Sequence, residues 1–142
     1  MKRAVLFVCV GNTARSQMAE AFLNDICPDD FSAESAGLDP GILNPLVVVA
    51  MREAGLDISG NKTKSAFDLL KAGKLYSYVV TVCDETNAER CPVFPGSATR
   101  LHWSFADPAG FEGSWKQRLS QTRIVRDEIR ARIAAWCKDV CP

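Results

Sequence analysis

The sequence predicts an α/β fold: a small four-stranded parallel sheet with helices on both faces, in a Rossmann-like arrangement of three layers. Four short runs of β-forming residues alternate with stretches in which apolar residues recur at helical spacing. Strands that alternate with helices along a chain are typical of parallel sheets joined by right-handed crossovers. A length of 142 residues is typical of one domain, which we expect to span residues 1–142.

The first run, Ala4–Cys9, is continuously apolar, which is typical of a strand covered on both faces. A polar turn follows, and Ser16–Ile26 then carries apolar residues at four-residue spacing. This pattern predicts a helix, and Pro28 marks its end because proline cannot continue the hydrogen-bonding pattern. Phe31–Ser35 is the second predicted strand.

Local signals conflict in the segment "NPLVVVAMREAG", which begins at Asn44. Its three consecutive valines favour a strand. Asn44, however, is a good helix N-cap, Pro45 suits the first helical position and Gly55 suits the helix exit. We give the capping signals more weight and predict a helix, followed by a shorter helix over Ser65–Ala72.

Two more strands and one long helix complete the prediction. Tyr76–Val82 is rich in aromatic and β-branched residues, and Thr99–Trp103 is the fourth predicted strand. The apolar face of the last helix consists of Trp115, Leu119, Thr122, Val125, Ile129, Ile133 and Trp136. Ligands of such sheets bind outside the carboxyl ends of the strands, so the functional residues should follow strand ends.

Charge and composition narrow the range of partners. The 17 basic and 17 acidic side chains cancel, which argues against a broad electrostatic surface for nucleic acid or for a membrane. The opening "MKRAVLFVCVG" imitates a signal peptide, but its apolar run is short and leads into the charged segment "NTARSQMAE". We therefore predict a buried strand there and expect a cytoplasmic protein, in which thiols stay reduced.

The cysteines of the chain are Cys9, Cys27, Cys83, Cys91, Cys137 and Cys141. In a reducing compartment they are better candidates for catalysis, metal binding or packing than for a disulfide framework. The chain has no Cys-x-x-Cys pair and a single histidine, His102, so a zinc site is not expected. Cys9 and Cys83 both fall at the ends of predicted strands, which places two thiols on one edge of the sheet. For Cys137 and Cys141, near the end of the sequence, we expect packing roles.

The segment "CVGNTARS" connects the first strand to the first helix. A turn in this position presents backbone N–H groups and a helix N-terminus, which together bind anions. The Arg15 guanidinium can hold a tetrahedral oxyanion through two hydrogen bonds, and with the helix dipole it favours the thiolate of Cys9. Ser16 can donate a hydrogen bond to that sulfur, and Asn12 can brace the loop. The predicted oxyanion-binding residues are Val10, Gly11, Asn12, Thr13, Ala14, Arg15 and Ser16.

Asp107 is the predicted general acid. Asp107-Pro108 by itself is a common turn. It follows the fourth predicted strand, however, on the edge that carries Cys9, and a leaving oxygen displaced by a thiolate needs a proton. We therefore predict that Cys9 is the nucleophile, that Arg15 binds the oxyanion and that Asp107 protonates the departing oxygen.

The stretch "FVCVGNTARSQMAEAF" closely resembles the signature of the low-molecular-weight protein tyrosine phosphatase fold family, which includes phosphatases and thioredoxin-coupled arsenate reductases. The resemblance extends over nearly the whole chain, through "SAG" (Ser35–Gly37), "AMREAGLDIS" (Ala50–Ser59) and Asp107-Pro108. It implies the fold of that family and the same roles for Cys9, Arg15 and Asp107.

The resemblance to the reductase branch implies a relay of three cysteines. "HWSFADPAG" (His102–Gly110) resembles that branch, whereas phosphatases of the family tend to carry tyrosines after Asp-Pro. Carried over by position, Cys9 forms a thiol–arsenate adduct, and Cys83 attacks the Cys9 sulfur and expels arsenite. Cys91 then forms a disulfide with Cys83, which thioredoxin reduces. The intervening "DETNAER" is polar and tolerates helix or loop, so it can rearrange. We expect a monomer with no tightly bound cofactor.

Other interpretations remain open. If Cys83 and Cys91 are incidental, the chain is a phosphatase that hydrolyses phosphotyrosine or aryl phosphates through a Cys9 phosphoenzyme. A non-enzymatic oxyanion sensor or thiol switch would keep the anion-binding loop and have no use for Asp107.

A metal site is also a question that the resemblance raises. Some relatives bind potassium beside the first loop, and Asn12, Glu20 and Thr63 match that site by position. Ser65, however, stands where a carboxylate would help to bind the cation. We therefore predict no resident metal.

Overall fold

Four parallel strands form one sheet in the order β2-β1-β3-β4, in a computed structural model that describes residues 2–141 apart from the side chains of residues 85 and 86. The strands are β1 Arg3–Cys9, β2 Phe31–Gly37, β3 Tyr78–Thr81 and β4 Thr99–His102. The helices are α1 Arg15–Ile26, α2 Pro45–Glu53, α3 Ala66–Lys71, α4 Glu85–Ala88 and α5 Trp115–Val140, with a 3-10 turn at Pro108–Gly110. The predicted α/β class and the four-stranded parallel sheet are confirmed.

The register of β1 decides which residues meet at the carboxyl edge of the sheet. On one side Cys9 lies opposite Gly37 of β2, and on the other Val8 lies opposite Thr81 of β3. Cys83 follows the end of β3 by two residues. The loops after β1 and β3 therefore leave the sheet side by side.

The sheet separates two hydrophobic clusters, because successive side chains of a strand point to opposite faces. Val5, Phe7 and Cys9 pack on the face covered by α1 and α5, and α2 packs against α5. Leu6 and Val8 pack on the other face, which α3 and residues 91–98 cover. The molecule thus has the three layers that the alternation of elements predicts.

Capping explains the helix boundaries. The Asn44 side chain accepts a hydrogen bond from the backbone N–H of Leu46 at 2.9 Å, so α2 forms in spite of its valines, as predicted. Ser65 caps α3, and Ser114 forms a capping box at the start of α5. No helix within residues 2–141 combines the length and apolar composition needed to cross a bilayer.

Several predicted boundaries were wrong by a few residues. β2 continues to Gly37 instead of ending at Ser35, and β4 ends at His102, one residue before Trp103. β3 spans only Tyr78–Thr81 of the predicted Tyr76–Val82. Tyr76 precedes the strand, whose pairing with β1 begins at Tyr78, and its ring packs edge-on against Phe94 with the ring centroids 5.3 Å apart. The short helix α4 was not predicted.

Candidate active site

Residues 10–14 form the loop between β1 and α1, and its carbonyl groups point outward. The carbonyls of residues 9, 10, 11 and 13 accept hydrogen bonds from the backbone N–H groups of residues 38, 39, 41 and 44. The C=O and N–H of one peptide unit point in opposite directions, so the loop N–H groups face the concave side. The N–H of Asn12 accordingly donates to Cys9 Sγ at 3.2 Å. α1 has no side-chain cap, which leaves its first N–H groups open to an anion.

Cys9 lies at the centre of this concave surface. Its side chain is buried, and its Sγ lies 2.8 Å from the hydroxyl of Ser16. Asn12 Nδ2 donates to the same hydroxyl at 2.8 Å. Hydrogen bonds to a sulfur stabilise its charged form over its neutral form. The loop therefore surrounds one thiol with donors suited both to a thiolate and to an oxyanion bound above it.

Asn12 fixes the shape of the loop from inside. Its backbone adopts a left-handed conformation with φ of 55°, which asparagine tolerates better than most residues. Its Nδ2 also donates to Ser35 Oγ at 3.0 Å, and its Oδ1 accepts from Lys64 N at 3.0 Å and Gln17 Nε2 at 3.2 Å. All the hydrogen-bonding groups of the Asn12 amide are thus used, which holds the loop rigid.

Gly37 permits the close approach of β2 to this loop. A Cβ at position 37 would lie 2.7 Å from the backbone N of Asn12 and 2.8 Å from the carbonyl O of Val10. These are backbone atoms, so a side chain would displace the loop itself. This contact explains the glycine of the "SAG" segment.

Arg15 connects the loop to the acid. Its Nη1 donates to the Phe105 carbonyl at 3.3 Å, and its Nη2 lies 3.3 Å from Asp107 Oδ2. The guanidinium is buried, and its Nε is one of two buried side-chain N or O atoms without a hydrogen-bond partner in the described part of the chain. Leaving a buried donor unpaired costs about 1–3 kcal/mol, so this geometry suits an arginine that binds an anion.

Asp107 lies beside Arg15 at the surface of the site. Its Oδ1 accepts from the N–H of Ala109 at 3.0 Å and caps the 3-10 turn, while its side chain stays 45 % exposed. The carboxyl group therefore faces both Arg15 and solvent. It lies on the same edge of the sheet as Cys9.

Cys83 is a buried thiol close to the charges of the loop. Burial raises its pKa to about 11, the Arg15 guanidinium lowers it, and Cys9 and Asp84 raise it. The backbone N–H of Val82 donates to the carbonyl of Val8 at 2.9 Å, so the next residues, Cys83 and Cys9, leave the sheet side by side. At pH 7, well below this pKa, Cys83 is therefore mostly a neutral thiol.

Cys91 packs on the other face of the sheet. It belongs to the cluster of Leu6, Val8 and Phe94, whereas Cys9 and Cys83 belong to the cluster under α1 and α5. Burial raises the pKa of Cys91 as well. The structure thus brings Cys9, Arg15, Cys83 and Asp107 to one edge and leaves Cys91 behind the loop that follows Cys83.

The residues matched to a potassium site have other partners. Lys64 Nζ lies 3.9 Å from Glu20 Oε1, and Ser35 Oγ donates to the same oxygen at 3.0 Å. Thr63 Oγ1 donates to the carbonyl of Gly41, and Asn12 Oδ1 already accepts two hydrogen bonds. An ammonium group beside Glu20 and engaged oxygen atoms do not fit an alkali cation. Burial still raises the pKa of Glu20, although Lys64 lowers it.

Three contributors to the site were missed in the sequence. Gln17 is fully buried in α1 and bonds the loop at Asn12, while Ser35 joins Asn12 to Glu20. The Phe105 carbonyl holds Arg15. A glutamine on the buried face of a helix was the available signal for Gln17. No sequence pattern could have indicated that the backbone carbonyl of Phe105 accepts a hydrogen bond from Arg15.

The family model for low molecular weight phosphotyrosine protein phosphatases matches residues 4–141. The chain belongs to this family. Its fold is that of the family, and the resemblance noted in the sequence is confirmed.

Several relatives within the family carry the name arsenate reductase. The arsenate reductase of Shouchella clausii is 42 % identical over 139 residues, which cover 96 % of each chain. The solved structure of an arsenate reductase in the phosphate binding state is 28 % identical, with a TM-score of 0.76 and 99 % of each chain covered. A thioredoxin-dependent arsenate reductase of Corynebacterium glutamicum is 28 % identical with a TM-score of 0.70, and the match covers 97 % of this chain and 60 % of that one.

Proposed function

We propose that this protein reduces arsenate to arsenite through a relay of Cys9, Cys83 and Cys91. One observation carries the proposal: a second buried thiol, Cys83, leaves the sheet beside Cys9, since the preceding residues Val82 and Val8 are joined by a backbone hydrogen bond of 2.9 Å. A hydrolase needs only one thiol, the nucleophile Cys9. The names of the relatives at about 40 % identity support the same activity.

In the first step the Cys9 thiolate attacks the arsenic atom of arsenate. The loop N–H groups and Arg15 bind the remaining oxygens, and Asp107 protonates the oxygen that leaves as water. The product is a Cys9 thiol–arsenate adduct, and no electrons have yet been transferred. The Ser16 hydroxyl, 2.8 Å from the sulfur, and the N–H of Asn12, which donates to it at 3.2 Å, hold the nucleophile in position.

In the second step the Cys83 thiolate attacks Cys9 Sγ. The electron pair of the S–As bond goes to arsenic, which leaves as arsenite, and a Cys9–Cys83 disulfide forms. Two thiols thus supply the two electrons. Burial raises the pKa of Cys83 to about 11, so the thiol has to lose a proton before it attacks.

In the third step Cys91 attacks Cys83 Sγ and releases the Cys9 thiolate. Cys91 has to leave the second cluster and reach the first, so the segment after Cys83 must rearrange. Cys91 and Phe94 are buried in that second cluster, whereas the polar contacts of the segment are exposed: Arg90 pairs with Asp39 at 2.8 Å and donates to Asn87 at 3.0 Å. Exposed pairs of this kind contribute about 0–1 kcal/mol each, so breaking them costs little. Thioredoxin is the proposed reductant of the resulting Cys83–Cys91 disulfide.

The test is multiple-turnover arsenate reduction with thioredoxin, its reductase and NADPH. We expect Cys91→Ser to stop after one turnover with a Cys9–Cys83 disulfide, and Cys83→Ser to release no arsenite. Val93→Ser, an exposed substitution on the same segment, is the matched control and should retain activity. Unchanged turnover of Cys91→Ser would exclude the relay, and peptide mapping of wild type after one turnover should find Cys83 bonded to Cys91.

A second activity, hydrolysis of phosphate monoesters, is favoured by a groove beside the loop. This groove has a volume of about 470 Å³, and its walls include Thr13, Ile42, Pro108 and Trp115. It offers an apolar surface for the organic group of a phosphate ester, next to the acid. If hydrolysis is the main activity, an aryl phosphate should be turned over rapidly by Cys83→Ser and slowly by Trp115→Ala.

A further inference from the structure

The Lys64 side chain contacts the site in a way that the proposed reaction does not use. Its Nζ lies 3.9 Å from Glu20 Oε1, and among the residues that the structure describes it is the only basic side chain that pairs with this carboxylate. The Glu20 side chain is 17 % exposed, and a carboxylate removed from water in this way needs a compensating charge. Glu34, which precedes Ser35 in β2, is paired with Lys74 at 3.3 Å instead. Lys64 therefore supplies the positive charge beside Glu20.

The main chain of Lys64 is fixed against the anion-binding loop. Its N–H donates to Asn12 Oδ1 at 3.0 Å, and its carbonyl accepts from the N–H of Gly37 at 2.8 Å. The next residue, Ser65, forms an isolated parallel bridge with Gly37. The lysine side chain therefore extends from a backbone that is itself bonded to the loop.

A chain of hydrogen bonds runs from the Glu20 carboxylate to the loop. A carboxylate can only accept, so Ser35 Oγ donates to Glu20 Oε1 at 3.0 Å. The oxygen of Ser35 in turn accepts from Asn12 Nδ2 at 3.0 Å. Ser35 is fully buried, so solvent does not compete for these hydrogen bonds. The charge of Glu20 thus orients Ser35, and Ser35 orients one side of the Asn12 amide.

The other side of the same amide leads to the nucleophile. Asn12 Nδ2 also donates to Ser16 Oγ at 2.8 Å, and that hydroxyl lies 2.8 Å from Cys9 Sγ. The two hydrogens of one amide group therefore connect Glu20 and Cys9 through one serine each. Hydrogen bonds in such a buried network strengthen one another, so a change at the Glu20 end is felt at the sulfur.

We propose that Lys64 is a positioning residue of the anion-binding loop, whose ammonium group balances the charge of Glu20 in place of an alkali cation. Through the network centred on Asn12, this balance keeps a hydrogen-bond donor aimed at Cys9 Sγ. The positive charge belongs to the chain, so the reactivity of Cys9 does not depend on potassium. The inference rests on the proposed function only in that Cys9 is the nucleophile of that reaction.

The experiment measures the rate at which iodoacetamide modifies Cys9 at pH 7 in the reduced, full-length protein, resolved by peptide mapping. Wild type should react at the same rate in potassium chloride and in choline chloride of equal concentration. Lys64→Met should react about fivefold more slowly in choline chloride, an effect of the size found within one charged network. Lys64→Arg should restore the rate because it restores the charge. Lys62→Met, which removes an exposed lysine from the same segment, is the matched control and should react like wild type.

A double-mutant cycle with Glu20→Gln separates this role from a direct effect of the Lys64 charge on the sulfur. Glutamine can still accept the hydrogen bond from Ser35, but it has no charge to balance. Lys64→Met should therefore slow alkylation in the wild-type background and have no further effect when it is combined with Glu20→Gln. Thermal melting verifies that each variant is folded.

Equal slowing by Lys64→Met in both backgrounds would overturn the proposal, because it would indicate a direct field effect or a general loss of packing. An unchanged rate for Lys64→Met would overturn it too, as would a wild-type rate that rises when potassium replaces choline. Alkylation needs no turnover, so each of these results would refute only this inference. A chain that responds as expected but does not reduce arsenate would refute only the proposed function.

Discussion

The Ser16 hydroxyl lies 2.8 Å from Cys9 Sγ, and the surrounding hydrogen bonds leave the hydroxyl proton available to the sulfur. The backbone N–H of Lys64 can only donate, so the atom it meets in the Asn12 side chain must be the carbonyl oxygen. Asn12 Nδ2 is then the donor to Ser16 Oγ. This leaves the Ser16 proton free to point at the sulfur. A thiolate has no proton to donate, so Ser16 is the donor whenever Cys9 is ionised, and its hydrogen bond then stabilises the charged sulfur.

Removing this hydroxyl should make Cys9 less reactive. A hydrogen bond to a charged group contributes about 1.5–3 kcal/mol, so Ser16→Ala should slow alkylation of Cys9 at pH 7 by about tenfold or more. The measurement is the rate of iodoacetamide modification, resolved for Cys9 by peptide mapping. Ser120→Ala, an exposed serine of α5, is the control and should react like wild type. Equal rates in both variants would show that Ser16 does not stabilise the thiolate.

Features that depend on residues close together in the sequence were predicted, and features that depend on distant residues were not. The strands, and helix α2 with its Asn44 cap, depend on neighbouring residues and were predicted to within a few positions. The contact of Ser16 with Cys9 lies within one short loop, so the motif was enough to suggest it. The position of Cys91 on the opposite face depends on how distant segments pack. No local pattern encodes it.

The Cys83 thiol should make arsenite release depend on pH. Its pKa is about 11, so below that value each pH unit raises the thiolate fraction, and with it the rate of attack on Cys9, about tenfold. We expect the single-turnover release of arsenite from the Cys9 adduct to rise accordingly between about pH 7 and 9. Rapid-quench measurements on Cys91→Ser isolate this step. A rate independent of pH over this range would mean that Cys83 is already deprotonated when it attacks.

A methyl group at position 37 should damage the anion-binding loop. The added Cβ would lie 2.7 Å from the backbone of Asn12, so Gly37→Ala should destabilise the fold by about 1–3 kcal/mol and weaken oxyanion binding. Thermal melting and phosphate titration measure the two effects. Gly60→Ala is the matched control, because nothing lies within 4 Å of its Cβ position. If Gly37→Ala binds phosphate as wild type does, the loop is more adaptable than its hydrogen bonds indicate.

Asp107→Asn should separate catalysis from binding. Asparagine can still accept the hydrogen bond from the N–H of Ala109, so the 3-10 turn should persist. It cannot protonate the departing oxygen, and general acid catalysis contributes about 10²–10⁴-fold, so kcat should fall by at least about a hundredfold. Arg15 loses the carboxylate 3.3 Å away that competes with a bound anion, so phosphate affinity should stay the same or rise. Steady-state kinetics and phosphate titration measure both, with Asp25→Asn on α1 as the control. A variant with normal kcat would remove Asp107 from the reaction.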